Sequence, residues 1–179
     1  MPYIVPPTTP MTTTTPVNAR TAPRRDVYYK SIDELAADLD RIEAAIGAGT
    51  IASTGNWTPG QNMQHVGLLI KGSYEGMPFS MPAPVRFLAR LLLMNKVRRQ
   101  EKPPPAGMIK LPKSATFLQP DPAVIDREGL EFLRAQLERI RAGERMTHPS
   151  PLLGKMTHDD WVSLHRKHAS LHLSFIDLG

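Results

Sequence analysis

The chain of 179 residues contains no cysteine. This absence excludes disulfide bonds, thiolate metal ligands, iron–sulfur clusters and cysteine nucleophiles, and it fits a reducing compartment. A tightly bound transition metal would therefore have to use histidine and oxygen ligands. We accordingly expect a cytoplasmic protein.

The sequence also lacks a long apolar segment. Its longest apolar stretch runs from Phe87 to Met94, is interrupted by Arg90 and is far too short to span a bilayer. Residues 1–23 are rich in threonine and proline and have neither the basic nor the apolar region of a signal peptide. We interpret residues 1–23 as a disordered tail and residues 24–179 as one folded domain, and we expect no transmembrane segment.

Acidic residues are scarce between residues 86 and 113, where eight lysines and arginines accompany Glu101 alone. Such a segment is most often a solvated face, but it also suits a site for small anions, an anionic membrane or nucleic acid. Because no nucleic-acid-binding motif accompanies it, we do not expect nucleic acid as a partner. The candidate anion-binding residues, which would attract a small anionic substrate, are Arg86, Arg90, Lys96, Arg98 and Arg99.

No segment has the alternating pattern of a β-strand, whereas several have helical periodicity. Two helices begin with a predicted capping box, one formed by Ser31 and Glu34 and one by Thr58 and Gln61. A loop of about twenty residues without clear periodicity follows Pro103. The predicted helices span residues 31–46, 59 to about 75, 84 to about 100, 122–142 and from Thr157 onwards, which indicates an all-α bundle.

Three of the six histidines lie in one eight-residue stretch of the last predicted helix, at His165, His168 and His172. Their spacings of three and four place all three imidazoles on one helix face. His165 and His172 are about 10.5 Å apart along the axis, too far to share one metal ion. His168 and His172 lie on adjacent turns and can converge on one ion.

A third ligand would have to come from another helix, and the candidate is His65 in the second one. Trp57 precedes that helix and Trp161 lies in the first turn of the last helix. If the two helices are neighbours, we expect their indoles to pack together and to bring His65 level with His168 and His172. The alternative reading, in which these histidines are hydrogen-bonded core or surface residues, stays open on spacing alone.

The segments GNWTPGQNMQHVGLLI (55–70) and HPSPLLGKMTHDDWVSLHRKHASLHLSF (148–175) resemble the paired signatures of the DinB-like superfamily. RRDVYYKSIDELAADLDRI (24–42) fits an uncharacterised bacterial branch of that superfamily, known only as a domain of unknown function. The resemblance covers residues 24–179. It implies a four-helix bundle with an additional short helix or long loop, and a divalent metal, most often zinc or nickel. Carried over residue by residue, its ligands are His65, His168 and His172.

Four further residues are candidates for the surroundings of this metal. His165 and His148 match positions common in the branch, and Trp57 and Trp161 accompany the histidine-bearing helices. Relatives often have two adjacent histidines where this chain has Leu171 and His172, so one polar group near the site is missing here.

The resemblance implies chemistry on small molecules, because characterised superfamily members include thiol-dependent transferases and isomerases. Our leading hypothesis is a metal-dependent transferase or hydrolase whose substrate is a small molecule such as a low-molecular-weight thiol; its catalytic residues stay unassigned, and a homodimer is one expectation. The first alternative is a non-catalytic stress or binding protein with the same bundle. A weaker alternative is a protein that binds anionic membrane or nucleic acid through its basic surface.

Overall fold

The computed structural model describes residues 16–99 and 115–179. Within these residues the chain forms five α-helices, one short 3₁₀ helix and a two-stranded antiparallel sheet. The fold is therefore all-α apart from the small sheet, as predicted. The elements in chain order are α1 (Ile32–Ala48), β1 (Ala52–Ser53), α2 (Pro59–Glu75), α3 (Ala83–Arg99), the 3₁₀ helix (Ala115–Leu118), α4 (Asp126–Arg141), α5 (His158–Leu173) and β2 (Ile176–Asp177).

The predicted start of α2 is confirmed in full. Thr58 accepts the backbone N–H of Gln61, and the Gln61 side chain accepts the backbone N–H of Thr58, so both halves of the capping box form. The predicted capping box of α1 is half correct. The Ser31 hydroxyl accepts the Glu34 N–H, but the Glu34 carboxylate accepts the N–H of Lys30 rather than that of Ser31.

The predicted start of α4 at Pro122 was four residues too early. Asp121 instead forms a tight turn, in which its carboxylate accepts the Ala123 N–H and its carbonyl accepts the Val124 N–H. Side-chain hydrogen bonds of this kind compete with helix formation. The helix therefore begins only at Asp126.

The small sheet is absent from the sequence-based prediction. Ala52 pairs with Asp177 and Ser53 with Ile176, so the segment before α2 is tied to the segment after α5. Strands of two residues are too short to produce an alternating pattern.

Four helices enclose the main core. α2 packs most extensively against α4 and also against α5, while α1 packs against both α4 and α5. These four contacts close a ring whose interior holds fully buried side chains such as Leu35, Met63 and Leu133. α3 lies outside the ring and packs against α5.

Residues 16–23, the described part of the predicted tail, contact the loop before α2. The Val17 N–H donates to the Asn56 side-chain oxygen, and the Asn56 amide donates back to the Val17 carbonyl. Thr54 donates its hydroxyl proton to the Pro23 carbonyl. Residues 1–15, and the basic residues Lys102, Lys110 and Lys113 with most of the long predicted loop, lie outside the described residues.

Among the described residues, no helix combines the length and the apolar character that crossing a membrane requires.

Candidate metal centre

The α2 and α5 helices run antiparallel, and this direction decides which histidines meet. His65, in the middle of α2, lies against His168 in the second half of α5. Ser73, two turns further along α2, lies against His165, which is earlier in α5. Residues later in α2 therefore contact residues earlier in α5.

Three histidine side chains form one compact group, which we call the triad: His65, His168 and His172. Each offers one ring nitrogen, and these nitrogens all lie within 4.8 Å of one another. The ring centroids are 4.4–4.9 Å apart. In the described part of the chain, the triad is the one group of three or more histidine, aspartate or glutamate side chains with such spacing.

The 3₁₀ helix fixes the orientation of His65. Its ring Nδ1 lies 2.6 Å from the carbonyl oxygen of Leu118. Because a carbonyl oxygen only accepts hydrogen bonds, Nδ1 must carry the proton, and Nε2 then presents a lone pair. That lone pair faces the ring of His168, with 3.1 Å between the two Nε2 atoms. A hydrogen bond from the remote ring nitrogen to a carbonyl is the usual way in which proteins orient a metal-binding histidine.

Burial keeps the triad neutral. It holds the pKa values of His168 and His172 well below the ordinary value, and neighbouring histidines lower them further. Burial also lowers the pKa of His65, against the opposing effect of its hydrogen bond to Leu118. At neutral pH all three rings are therefore neutral, and each has one ring nitrogen with a free lone pair.

The arrangement of ring nitrogens suits a metal ion. The Nε2 atoms of His65 and His168 face each other, and Nε2 of His65 carries a lone pair rather than a proton. Zn–N bonds of about 2.0–2.1 Å place tetrahedral ligand nitrogens about 3.4 Å apart, close to the observed separation of these two atoms. The donor set, three imidazoles, is one that zinc and nickel accept. His168 and His172 are partly exposed, so one side of the triad faces the surface.

The two tryptophans lie at opposite ends of the α2–α5 pair, and the prediction that they pack together was wrong. Trp57 lies against the triad, 4.7 Å from the His65 ring and 5.7 Å from the His172 ring between centroids. Trp161 stacks on His165 at 5.2 Å. The reason is the antiparallel direction, which separates the starts of the two helices by about 25 Å, the length of α2.

His165 lies in the core rather than in the triad. It is fully buried, and its Nε2–H donates to the hydroxyl oxygen of Ser73, which itself donates to the Ile70 carbonyl. Burial lowers the pKa of His165 to about 3. His148 lies in the loop before α5, where its carbonyl accepts the Trp161 indole N–H and its ring packs against Gly76. Neither histidine offers a nitrogen to the triad.

The five candidate anion-binding residues lie on α3, and the described contacts do not connect them with the triad. Arg98 forms a two-point ion pair with Asp160, with its closer contact at 2.8 Å, and Arg90 donates to the carbonyl of Leu153. These two side chains already have partners within the fold. The other three candidates form no ion pair within the described residues: Arg86, Lys96 and Arg99.

Sequence reasoning missed Leu118, whose contribution is a backbone carbonyl. No side-chain pattern marks a carbonyl that orients a histidine, and the predicted loop around it has no periodicity. The only available signal was the length of that loop, since long loops in compact domains often carry function.

A family model, described as a protein of unknown function (DUF1569), matches residues 21–178. The chain belongs to this family. No curated protein and no solved structure matches it. The DUF1569 match covers the whole triad, Trp57 and Leu118, so every group described at this centre lies within the family domain.

Proposed function

We propose that this DUF1569 protein binds one divalent metal ion per chain, zinc or nickel, through His65, His168 and His172. The observation that carries the proposal is the convergence of three neutral ring nitrogens within 4.8 Å. We further propose that the ring of α1, α2, α4 and α5 is a DinB-like four-helix bundle to which α3 is appended. The ring of pairwise helix contacts supports this assignment.

The surrounding residues support chemistry at this centre. The hydrogen bond to Leu118 keeps the proton of His65 on Nδ1, which leaves the lone pair of Nε2 free for a metal ion. Trp57 packs against His65 and His172, and the partial exposure of His168 and His172 supports access from the surface. A bound divalent ion supplies Lewis acidity and lowers the pKa of a coordinated water or thiol. The activity we propose is a metal-dependent hydrolysis or thiol transfer on a small substrate.

One observation favours a second candidate, a metal-binding protein without catalysis. In the described part of the chain no carboxylate joins the triad. A hydrolase usually positions a general base near its metal, and the triad histidines would all be occupied as ligands. The second candidate is therefore a protein that binds the metal ion without catalysing a reaction.

Elemental analysis of the purified protein tests the metal. We expect one divalent ion per chain in the wild type and none in His168→Ala, with the helical circular dichroism signal unchanged. His148→Ala is the matched control, because it removes a partly exposed histidine that lies outside the triad. Equal metal content in His168→Ala and the wild type would refute the proposal.

A substrate screen separates the two candidates. The zinc- and nickel-loaded proteins are tested with small thiols plus electrophilic acceptors, and with esters. Turnover that is lost in His168→Ala and retained in His148→Ala supports the enzyme. Stoichiometric metal without turnover of any of these compounds favours the binding protein.

A further inference from the structure

The outer surface of α3 carries most of the exposed large hydrophobic side chains of the described residues. Five of the seven lie on this helix. Four of them follow one another on one side of it, at spacings of one and three, with exposed fractions of 55–71%: Phe87, Leu88, Leu91 and Leu92. We call these four residues the α3 patch. Contiguous exposed apolar patches of this kind mark interaction surfaces.

The opposite side of α3 is firmly attached to the fold. Met94 and Val97 are buried against the core. The Ser163 hydroxyl donates to the Val97 carbonyl at 2.6 Å, and the buried Lys167 ammonium donates to the same carbonyl. Because these contacts hold the end of the helix, its outward face is a fixed feature of the surface.

The charge of α3 is of one sign. The helix contains five basic residues and no aspartate or glutamate. Asp160 pairs with Arg98 alone, so within the described residues the other four have no acidic partner. Lys96 and Arg99 are exposed in the last two turns, directly after the α3 patch. Lys155 is exposed beside the helix, since its carbonyl accepts a hydrogen bond from Arg90.

The α3 patch and the cations beside it together indicate what kind of partner binds this surface. A second copy of the chain would satisfy the apolar residues, but pairing α3 with α3 would bring cations together. An anionic lipid surface accommodates both features, because leucine and phenylalanine enter the acyl-chain boundary while lysine and arginine reach the headgroups. We propose that α3 docks this protein on an anionic membrane surface through the α3 patch, with Lys96 and Arg99 on the headgroups.

Vesicle co-sedimentation at physiological salt tests the proposal. The full-length protein is mixed with vesicles of equimolar phosphatidylcholine and phosphatidylglycerol, or of phosphatidylcholine alone. We expect saturable binding to the mixed vesicles and at least tenfold weaker binding, as an order of magnitude, to the neutral ones. Phe87→Ser/Leu91→Ser and Lys96→Gln/Arg99→Gln should each weaken binding by about tenfold.

Two matched control variants test whether vesicle binding depends on α3 or on any exposed apolar or basic side chain. Ile125→Ser removes another exposed hydrophobic residue, at the start of α4, and Arg20→Gln/Arg145→Gln removes two exposed cations outside α3. Both should bind vesicles as the wild type does. All of the substituted side chains are exposed, so thermal unfolding should stay unchanged in every variant.

Three results would overturn the proposal. One is equal binding of the Phe87→Ser/Leu91→Ser variant and the wild type. Another is a wild-type dimer in light scattering that becomes a monomer in that variant while neither binds vesicles, which would make the α3 patch a contact between copies. A third is saturable binding to duplex DNA, with a steep dependence on salt, in place of binding to vesicles.

Discussion

At one end of the α2–α5 pair Trp57 lies against His65 and His172, and at the other end Trp161 stacks on His165. Both ends therefore combine a tryptophan with histidine on the same two helices. At the Trp161 end the histidine donates to Ser73 and is sealed in the core. At the Trp57 end three ring nitrogens converge within 4.8 Å of one another.

The comparison shows that residue type and helical spacing do not distinguish a ligand from a core histidine. What differs is the residue across the helix interface. His165 meets a serine hydroxyl, whereas His168 meets the ring nitrogen of another histidine. The partner decides whether the ring nitrogen forms a hydrogen bond with a hydroxyl group or converges with other ring nitrogens.

The largest expected effect comes from exchanging one histidine at each end for alanine. His65→Ala should lose its bound metal and keep its fold. His165→Ala should keep the metal but lower the free energy of unfolding by about 2 to 4 kcal/mol, because it leaves a cavity in the core. Elemental analysis and urea denaturation in the presence of chelator measure the two effects. Loss of metal from both variants to the same extent would remove the distinction between the two ends.

Tryptophan fluorescence reports on each end separately. Trp161→Phe leaves only Trp57, and Ni²⁺ or Cu²⁺ bound at the triad should quench most of its emission because Trp57 contacts two of the three rings. Trp57→Phe leaves only Trp161, about 10 Å or more along α5 from the nearest triad histidine, and should show little quenching. Stronger quenching in Trp57→Phe would contradict the assignment of the ion to the triad.

The pH dependence of stability sharpens the comparison further. Burial lowers the pKa of His165 to about 3, whereas in the unfolded chain this ring has its ordinary pKa of 6.5. Between these values the unfolded state binds a proton that the folded state does not, so stability falls as pH falls, by about 1.4 kcal/mol per pH unit for this residue. Urea denaturation of the chelator-treated protein from pH 4 to 6 measures the slope.

The matched variant for this measurement is His165→Gln, which keeps a polar side chain but cannot be protonated. It should reduce the slope by about 1.4 kcal/mol per pH unit, the share of one proton. Part of the remaining slope should come from the triad, whose pKa values burial also lowers. Towards pH 4 the carboxylates of Asp38 and Asp160 also contribute, because arginine hydrogen bonds outweigh burial and lower their pKa values. An unchanged slope would show that His165 is not protonated on unfolding in this range.

The smallest expected effect concerns how closely α2 approaches α4 at the triad end. A Cβ atom on Gly129 would lie 2.3 Å from the carbonyl oxygen of Gly60, so Gly129→Ala should lower the free energy of unfolding by about 1 to 3 kcal/mol. Gly47 in α1 has open space around it, and Gly47→Ala should instead stabilise by about 0.5 to 1 kcal/mol. Equal effects of the two substitutions in urea denaturation would argue against the close approach.

Much of the fold was predictable because its signals are local. Thr58 and Gln61 cap the start of α2, and Thr157 caps α5, through hydrogen bonds between residues three positions apart. The start of α4 was misjudged, since the Asp121 turn competes with helix formation in a way that apolar periodicity does not reveal. The two-residue strands were missed because they are too short to have a pattern.

The sequence by itself determined most of the helices and the candidate ligand type, because helix caps and apolar periodicity depend on neighbouring residues and the absence of cysteine is a matter of composition. The pair His168 and His172 follows from helix geometry alone. Only the tertiary structure decided that α5 runs antiparallel to α2, so that His65 and Trp57 meet this pair while Trp161 does not. It also brought the Leu118 carbonyl to His65. Several of these contacts join residues more than a hundred positions apart, and they depend on how whole helices pack rather than on any local pattern.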